Sequence, residues 1–213
     1  MAETPSVIVV DHPLVRHKLT RLRDRATPTA EFRRLMREVG AILTVEATRH
    51  LPLTEIVVET PIAPTRGWRL DPAPAVIPIL RAGLGLAEGL LDLLPDADVG
   101  HLGMYRDEET VRPVPYLERL PANLGARGVV VVDPMLATGH SAAYALDLLF
   151  TRGARPEATV LMALVAAPEG VAEINRLFPT VRIVTAALDE RLNERSYIVP
   201  GLGDAGDRLY GTP

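Results

Sequence analysis

The stretch VVVVDPMLATGHS, residues 129–141, decides the fold of this chain. Val129–Val132 is a run of four β-branched residues without a polar position, which is typical of a parallel strand covered on both faces. The run ends on Asp133, and a short loop then leads through Thr138 and Gly139 into an apolar helical stretch. A buried strand followed by a tight loop and a helix indicates one unit of an α/β protein.

Short β-rich runs alternate with helical stretches on both sides of this unit. The strand-type runs are Ile56–Glu59, Val76–Leu80, Val99–Tyr105, Val129–Val132, Val160–Ala166 and Val181–Ala186. The helical stretches between them are Leu84–Leu94, Ser141–Arg152 and Glu169–Leu177. This alternation predicts a central, mostly parallel, doubly wound sheet with helices on both faces. Such sheets bind their ligands beyond the carboxyl ends of the strands.

The first 50 residues have helical periodicity instead. Proline favours the first position of a helix, so Pro13 predicts a helix start, and Leu14, Val15, Leu19 and Leu22 are then expected to face inward. A longer amphipathic helix is expected from about residue 29 to residue 48. We interpret both as structural helices that can also form an interface.

The composition is that of a globular protein, and the length allows one large or two small domains. The chain has 213 residues, of which 47% are hydrophobic and 23% charged, and this balance excludes a disordered or fibrous protein. The absence of cysteine excludes disulfides and thiolate metal sites and fits a cytoplasmic protein. The start of the chain lacks the basic region of a signal peptide, and no apolar stretch is long enough to span a membrane.

The charge pattern restricts the ligands. A net charge of −4 argues against nucleic-acid binding. The single lysine, Lys18, is not preceded by glycine, so the chain contains no Walker phosphate loop. The five histidines show no metal-ligand spacing, and no G-x-S-x-G nucleophile motif is present. A bound phosphate must therefore be held by backbone amides and arginines.

The strand-end loop has the features of a phosphate site. Free N–H groups at the helix start, together with the hydroxyls of Thr138 and Ser141, can hold a phosphate dianion, and Gly139 allows close approach of the backbone. Asp133 is positioned to meet sugar hydroxyls or a metal-bound water. The alternative is an ordinary strand–turn–helix in which Thr138 or Ser141 caps the helix.

Two arginines follow other strands. Arg81 directly follows the run Val76–Leu80 and precedes a glycine loop. It could bind a second anionic group such as a diphosphate, or it could be a surface arginine. Arg106 lies in the charged segment 105–110, which fits a mobile loop over a bound anion and a solvated loop equally well.

The C-terminal segment YIVPGLGDAGDR, residues 197–208, is rich in glycine. Gly201, Gly203 and Gly206 match G-x-G-x-x-G, but too few residues follow for the helix and the acidic residue of a dinucleotide fold. The segment could instead expose backbone groups for ligand recognition, or simply form a tight turn that closes the fold.

Together these segments resemble the uracil phosphoribosyltransferase family over nearly the whole chain. The strings DPMLATG at 133–139 and YIVPGLGDAGDR at 197–208 are highly specific to it, and residues 12–19, 78–85 and 104–110 also look like family segments. The resemblance implies a type I phosphoribosyltransferase fold, with a small hood containing the C-terminal segment. It also implies transfer of phosphoribose from 5-phosphoribosyl 1-diphosphate (PRPP) to uracil, with Mg²⁺, giving UMP and pyrophosphate.

The resemblance also implies roles for individual residues. The PRPP-binding residues would be Arg81, Arg106, Asp133, Pro134, Met135, Leu136, Ala137, Thr138, Gly139, His140, Ser141 and Asp204. The uracil-binding residues would be Ile198, Gly203, Asp204 and Ala205, largely through backbone atoms. Asp133, Arg106 and Asp204 would be catalytic, and Mg²⁺ would be carried mainly by the diphosphate, with no protein ligand assigned.

Further expectations and two alternatives follow from the same resemblance. It suggests a homodimer or larger homo-oligomer and makes GTP a candidate activator. The alternatives are a phosphoribosyltransferase for another base, which should lack the GLGDAGDR tail, and an RNA-binding regulator, which would want a basic face. His140 and Ser196 stand where the family usually has glycine; we expect the His140 side chain to point outward and Ser196 not to touch the chemistry.

Overall fold

The computed structural model describes residues 7–106 and 113–212. The strands are β1 Val7–Val9, β2 Thr54–Glu59, β3 Pro64–Arg69, β4 Ala75–Leu80, β5 Asp98–Val99, β6 His101–Arg106, β7 Pro113–Arg119, β8 Val129–Val132, β9 Met135–Leu136, β10 Thr159–Ala166, β11 Arg182–Leu188, β12 Arg191–Leu192 and β13 Ile198–Val199. The helices are α1 Pro13–Arg23, α2 Thr29–Ala47, α3 Gly83–Leu93, α4 His140–Thr151, α5 Pro168–Leu177 and α6 Ala205–Tyr210.

The central sheet has the order β1-β11-β10-β8-β4-β6-β7, and the short strands β5 and β9 pair with β4 and β10. Every pairing is parallel except that of β6 with β7, which is antiparallel. Strand β8 lies in the middle, between β10 and β4. The predicted fold, a mostly parallel sheet of the α/β type, is confirmed.

The four valines of β8 show why the strand must be apolar throughout. Side chains alternate between the two faces of a strand, and helices cover both faces. Val130 and Val132 pack in a core with residues of α1, α2 and α3, whereas Val129 and Val131 pack in a second core with residues of α4 and α5. All four are buried, so a polar residue at any of these positions would lose its hydration.

The helices begin and end close to the positions expected from the sequence. The α1 helix starts at Pro13, and α2 buries an apolar stripe that includes Phe32, Leu35 and Val39. The inward orientation predicted for Leu14 is wrong, because this side chain is 53% exposed on the outer side of α1. The reason is geometric: Val15, Leu19 and Leu22 already form the buried stripe at spacings of four and three residues.

Two small sheets lie outside the central one. Strands β2 and β3 form an antiparallel hairpin, so the strand run that contains Ile56–Glu59 does not join the central sheet. Strands β12 and β13 form a second hairpin after β11, and the short helix α6 follows it. This C-terminal part packs near the carboxyl ends of the strands and forms the predicted hood. Within the described ranges, no helix is long and apolar enough to cross a membrane.

Candidate functional site

The loop from Asp133 to Ser141 is held on its underside by the neighbouring strand and helix. The Asp133 N–H donates to the Met162 carbonyl at 3.1 Å, and the Pro134 carbonyl accepts from two N–H groups of β10 at 3.0 Å. Gly139 has a φ of +84°, a conformation that glycine adopts without strain, and α4 begins directly after it. The turn thus exposes the first N–H groups of α4 on its open side, where intrahelical partners are lacking.

Glycine 170 determines how closely this loop approaches α5. A Cβ atom on Gly170 would press on the carbonyl oxygen of Ala137 and lie 2.9 Å from that of Leu136. The Ala167 N–H also donates to the Leu136 carbonyl at 2.9 Å. The loop therefore rests directly on the first turn of α5, which sets its position relative to the sheet.

Asp133 follows β8 and is only partly exposed. Burial raises the pKa of its carboxyl group to about 6, because the surrounding protein disfavours the charged form. A hydrogen bond of 3.4 Å from the Met135 N–H to Oδ1 partly offsets this rise in pKa. A carboxylate that titrates near pH 6 at the end of a central strand is typical of a functional position rather than a structural one.

A cavity of about 410 Å³ opens above this loop. Its lining includes Asp133, Met135, Leu136, Ala137, Thr138, Gly139, His140 and Ser141 from the loop, and Ile198, Gly203, Asp204 and Ala205 from the hood. The structure thus brings the phosphate loop and the glycine-rich tail, about 60 residues apart in sequence, to one cavity. Its volume lies in the usual range for small-molecule sites. Pro134 is buried and is not among the lining residues.

The hood backbone is held in place by side chains. Asp204 caps α6 by accepting a hydrogen bond of 3.0 Å from the Asp207 N–H. Arg208 donates to the carbonyl groups of Leu22, Leu202 and Asp24, the last two at 2.8 and 2.6 Å. Ile198 and Ala205 are buried, whereas Gly203 and Asp204 are exposed towards the cavity.

Arg81 lies beside the cavity rather than in its lining, which begins with the next residue, Ala82. Its guanidinium group lies 5.6 Å from the ring centroid of Tyr210 and 4.0 Å from a carboxylate oxygen of Asp207. The Tyr210 hydroxyl donates to the Arg81 carbonyl at 3.0 Å, so the tail of the chain contacts the arginine loop directly. Arg106 ends β6, but its side chain and residues 107–112 lie outside the described part of the structure.

Residues that were not among the predicted PRPP-binding or uracil-binding residues also line the cavity, namely Ala82, Ala142, Arg195, Ser196, Tyr197 and Gly206. Arg195, Ser196 and Tyr197 form the turn between β12 and β13. Ser196 has a φ of +61°, a conformation that glycine adopts more easily than serine. Ser196 lines the cavity, and the expectation that it does not touch the chemistry stays a prediction. His140 is exposed and also lines the cavity.

The carboxylates in the cavity are suited to a metal ion that a substrate also binds. The described residues include no group of three or more His, Asp or Glu side chains that could hold a metal. The carboxylates of Asp133 and Asp204 both line the cavity. Mg²⁺ is commonly bound by one or two carboxylates, with substrate phosphates and water completing its coordination, so each of these carboxylates is a ligand of the right kind for such an ion.

The comparisons with known proteins agree with this geometry. A family model described as uracil phosphoribosyltransferase matches residues 9–212. The chain belongs to the uracil phosphoribosyltransferase family. A uracil phosphoribosyltransferase of Lactococcus lactis is 53% identical over 205 residues, which are 96% of this chain and 97% of the relative. One of Geobacillus kaustophilus is 53% identical over 211 residues, covering 97% and 98% of the two chains.

A solved structure supports the fold of this family member as well. The structure of the protein AQ2163 from Aquifex aeolicus matches with a TM-score of 0.90 and 40% sequence identity. The match covers 96% of this chain and 97% of that one, so it extends over nearly the whole length of both. The family resemblance in the strings DPMLATG and YIVPGLGDAGDR therefore agrees with a full-length relationship.

Proposed function

We propose that this chain transfers the 5-phosphoribosyl group of PRPP to uracil, giving UMP and pyrophosphate in uracil salvage. The observation that carries the proposal is the shared cavity, which has the phosphate loop 133–141 on one side and the tail 203–206 on the other. A nucleoside monophosphate needs both, because its phosphate and its base lie at opposite ends of the ribose. Membership of the uracil phosphoribosyltransferase family supports the choice of base.

In this proposal the loop binds the ribose 5-phosphate. The N–H groups at the start of α4 and the hydroxyls of Thr138 and Ser141 donate to the phosphate oxygens, aided by the positive end of the helix dipole. Asp133 accepts hydrogen bonds from the ribose hydroxyls. Its negative charge also lies near the sugar carbon at which positive charge develops as the bond to pyrophosphate breaks.

Arginines would stabilise the departing pyrophosphate. Arg81 lies at the edge of the cavity, and Arg106 ends the neighbouring strand β6. Mg²⁺ bound to the diphosphate would offset part of the negative charge that accumulates on the leaving group. Asp133 and Asp204 are the carboxylates that line the cavity and would meet the donor or its metal. The protein then contributes position and electrostatics, with no covalent nucleophile.

Uracil would be recognised by the backbone of Ile198, Gly203, Asp204 and Ala205. A backbone N–H that points at the O4 atom of uracil meets an acceptor, whereas in cytosine the same position carries an amino donor. Two facing donors leave a buried polar group unpaired, and sites built on such hydrogen bonds reject the wrong ligand strongly.

The test is turnover with purified protein, PRPP, Mg²⁺ and one base at a time. We expect UMP formation with uracil, and at least about a hundredfold lower kcat/KM with cytosine. Hypoxanthine should give no nucleotide, because the alternative of a purine-specific enzyme is not favoured by the GLGDAGDR tail. Turnover of hypoxanthine without turnover of uracil would contradict the proposal. The RNA-regulator alternative has no support in a net charge of −4, and salt-sensitive RNA binding would revive it.

Four finer expectations belong to the same proposal: one domain over residues 1–213, a cytoplasmic location, a homodimer or larger oligomer, and activation by GTP. The β2–β3 hairpin supports self-association, since Val57 is 74% exposed and Ile62 94% exposed, with Trp68 also exposed. A second copy of the chain would cover these apolar side chains. Sedimentation of the protein with and without GTP, alongside the activity assay, measures both the oligomeric state and the activation.

A further inference from the structure

A partly buried ion pair joins α1 to the tail that lines the cavity. Arg23, the last residue of α1, donates to both carboxylate oxygens of Asp189, at 2.8 Å from Nη1 and 2.5 Å from Nη2. Asp189 directly follows β11, and its side chain is only 4% exposed. The two residues are 166 positions apart in the sequence, so neither suggests the other.

The pair holds one residue of the tail, Gly201, through both its N–H and its carbonyl group. The Gly201 N–H donates to Asp189 Oδ2 at 2.9 Å, and the Gly201 carbonyl accepts from Arg23 Nη1 at 2.7 Å. Gly201 has a φ of +59°, and a Cβ there would press on the Ile198 carbonyl. The turn is thus tight, and its position depends on these contacts. Asp189, although it is a carboxylate at a strand end, is occupied by structural partners.

Gly201 lies in the sequence between two residues that line the cavity. Ile198 precedes Gly201 by three residues, and Gly203 follows it by two. A shift of the Gly201 backbone would therefore move both parts of the backbone that the proposed function assigns to uracil. The loop 133–141 is anchored separately on β10 and α5, so a shift of the tail need not move the phosphate site.

We propose that Arg23 and Asp189 are positioning residues for the base, which act by holding the N–H and carbonyl groups of Gly201. This inference rests on the proposed function, because it takes the backbone near Gly201 as the uracil subsite. Bidentate pairing matters here, since the planar guanidinium group reaches the carboxylate and the carbonyl together. The single ammonium group of a lysine can reach only some of these oxygen atoms.

The test compares Michaelis constants for the two substrates in Arg23→Ala, Arg23→Lys and Asp189→Asn. Losing a charged hydrogen bond of this kind should raise KM for uracil about tenfold in Arg23→Ala. KM for PRPP should stay within about twofold, because the phosphate loop is anchored independently. Arg23→Lys should recover part of the loss. Asp189→Asn keeps an acceptor for the Gly201 N–H, so a smaller rise is expected there.

Arg37→Ala is the matched control. It breaks an equally bidentate pair with Asp92, with two contacts of 2.6 Å, that joins α2 to α3 away from the tail. Both Michaelis constants should be unchanged in this variant, even if its Tm falls.

Different results would contradict the positioning role and the proposed function. An active parent whose Arg23 and Asp189 variants keep the parental KM for uracil, or raise both KM values equally, would overturn the positioning role alone. A parent without uracil turnover would overturn the proposed function and the positioning role with it. If Arg23→Ala does not fold, Arg23→Lys and Asp189→Asn are judged by the same criterion.

Discussion

Replacing Asp133 by asparagine should make the protein more stable and nearly inactive. The pKa of this carboxyl group is raised from 3.8 to about 6, so its charged form is disfavoured in the fold. At about 1.4 kcal/mol per pH unit, the rise corresponds to at most about 3 kcal/mol, and partial exposure reduces it to about 2 kcal/mol. Asparagine has nearly the same shape and can still accept the hydrogen bond from the Met135 N–H.

The pH dependence of the parent's stability shows in which direction Asp133 contributes. In the parent, protonation of Asp133 stabilises the fold; this contribution is fully present below about pH 4 and is lost as the pH rises through about 6. The Asp133→Asn side chain does not titrate, so the variant should equal the parent near pH 4 and exceed it above pH 7. A gain of about 2 kcal/mol at pH 8 corresponds to a rise in Tm of about 4–8 °C.

Thermal unfolding between pH 4 and pH 8, together with steady-state rates, measures both effects. We expect kcat of the variant to fall at least about a hundredfold, since Asp133 contacts the sugar in the proposed mechanism. In the parent, kcat/KM should fall as the pH drops through about 6, and the residual activity of the variant should lack this dependence. The control Asp92→Asn should change stability in the opposite direction, because Arg37 holds the pKa of the Asp92 carboxyl below its usual value. A Tm at pH 8 equal to or below that of the parent would refute the reasoning.

Two further substitutions test the loop and the hood. Gly170→Ala places a Cβ against the Ala137 carbonyl, so the free energy of unfolding should fall by about 1–3 kcal/mol and KM for PRPP should rise. An unchanged KM for PRPP would show that α5 does not position the loop. Ser196→Gly relieves the positive φ of +61° and should stabilise by about 0.5–1 kcal/mol, measured by denaturant unfolding. Ser196→Ala keeps the strain, so an equal gain in that control would contradict the explanation.

The sequence predicts the central sheet well because burial on both faces leaves a strong pattern. Val129–Val132 and Val160–Ala166 are apolar at every position, and their strands are found almost where expected. Strands outside the core carry no such pattern. Strand β3 contains Pro64 and Gly67 and is mostly exposed, so only its pairing with β2 makes it a strand.

The candidate site also has parts that the sequence predicts and parts that only the fold reveals. The phosphate loop is recognisable because strand, loop and helix are contiguous in residues 129–151. The turn that contains Arg195 and Ser196 lines the cavity only because β12 and β13 pair, which local sequence does not indicate. The contact between Arg23 and Asp189 depends on the complete fold, since it joins the end of α1 to the end of β11.

The structure of this protein with bound UMP tests the central claim most directly. The account predicts the phosphate of UMP on the N–H groups of residues 138–141, and the uracil ring against the backbone of Ile198 and of residues 203–205. A nucleotide bound outside this cavity, or one with its base in the loop and its phosphate in the hood, would contradict it.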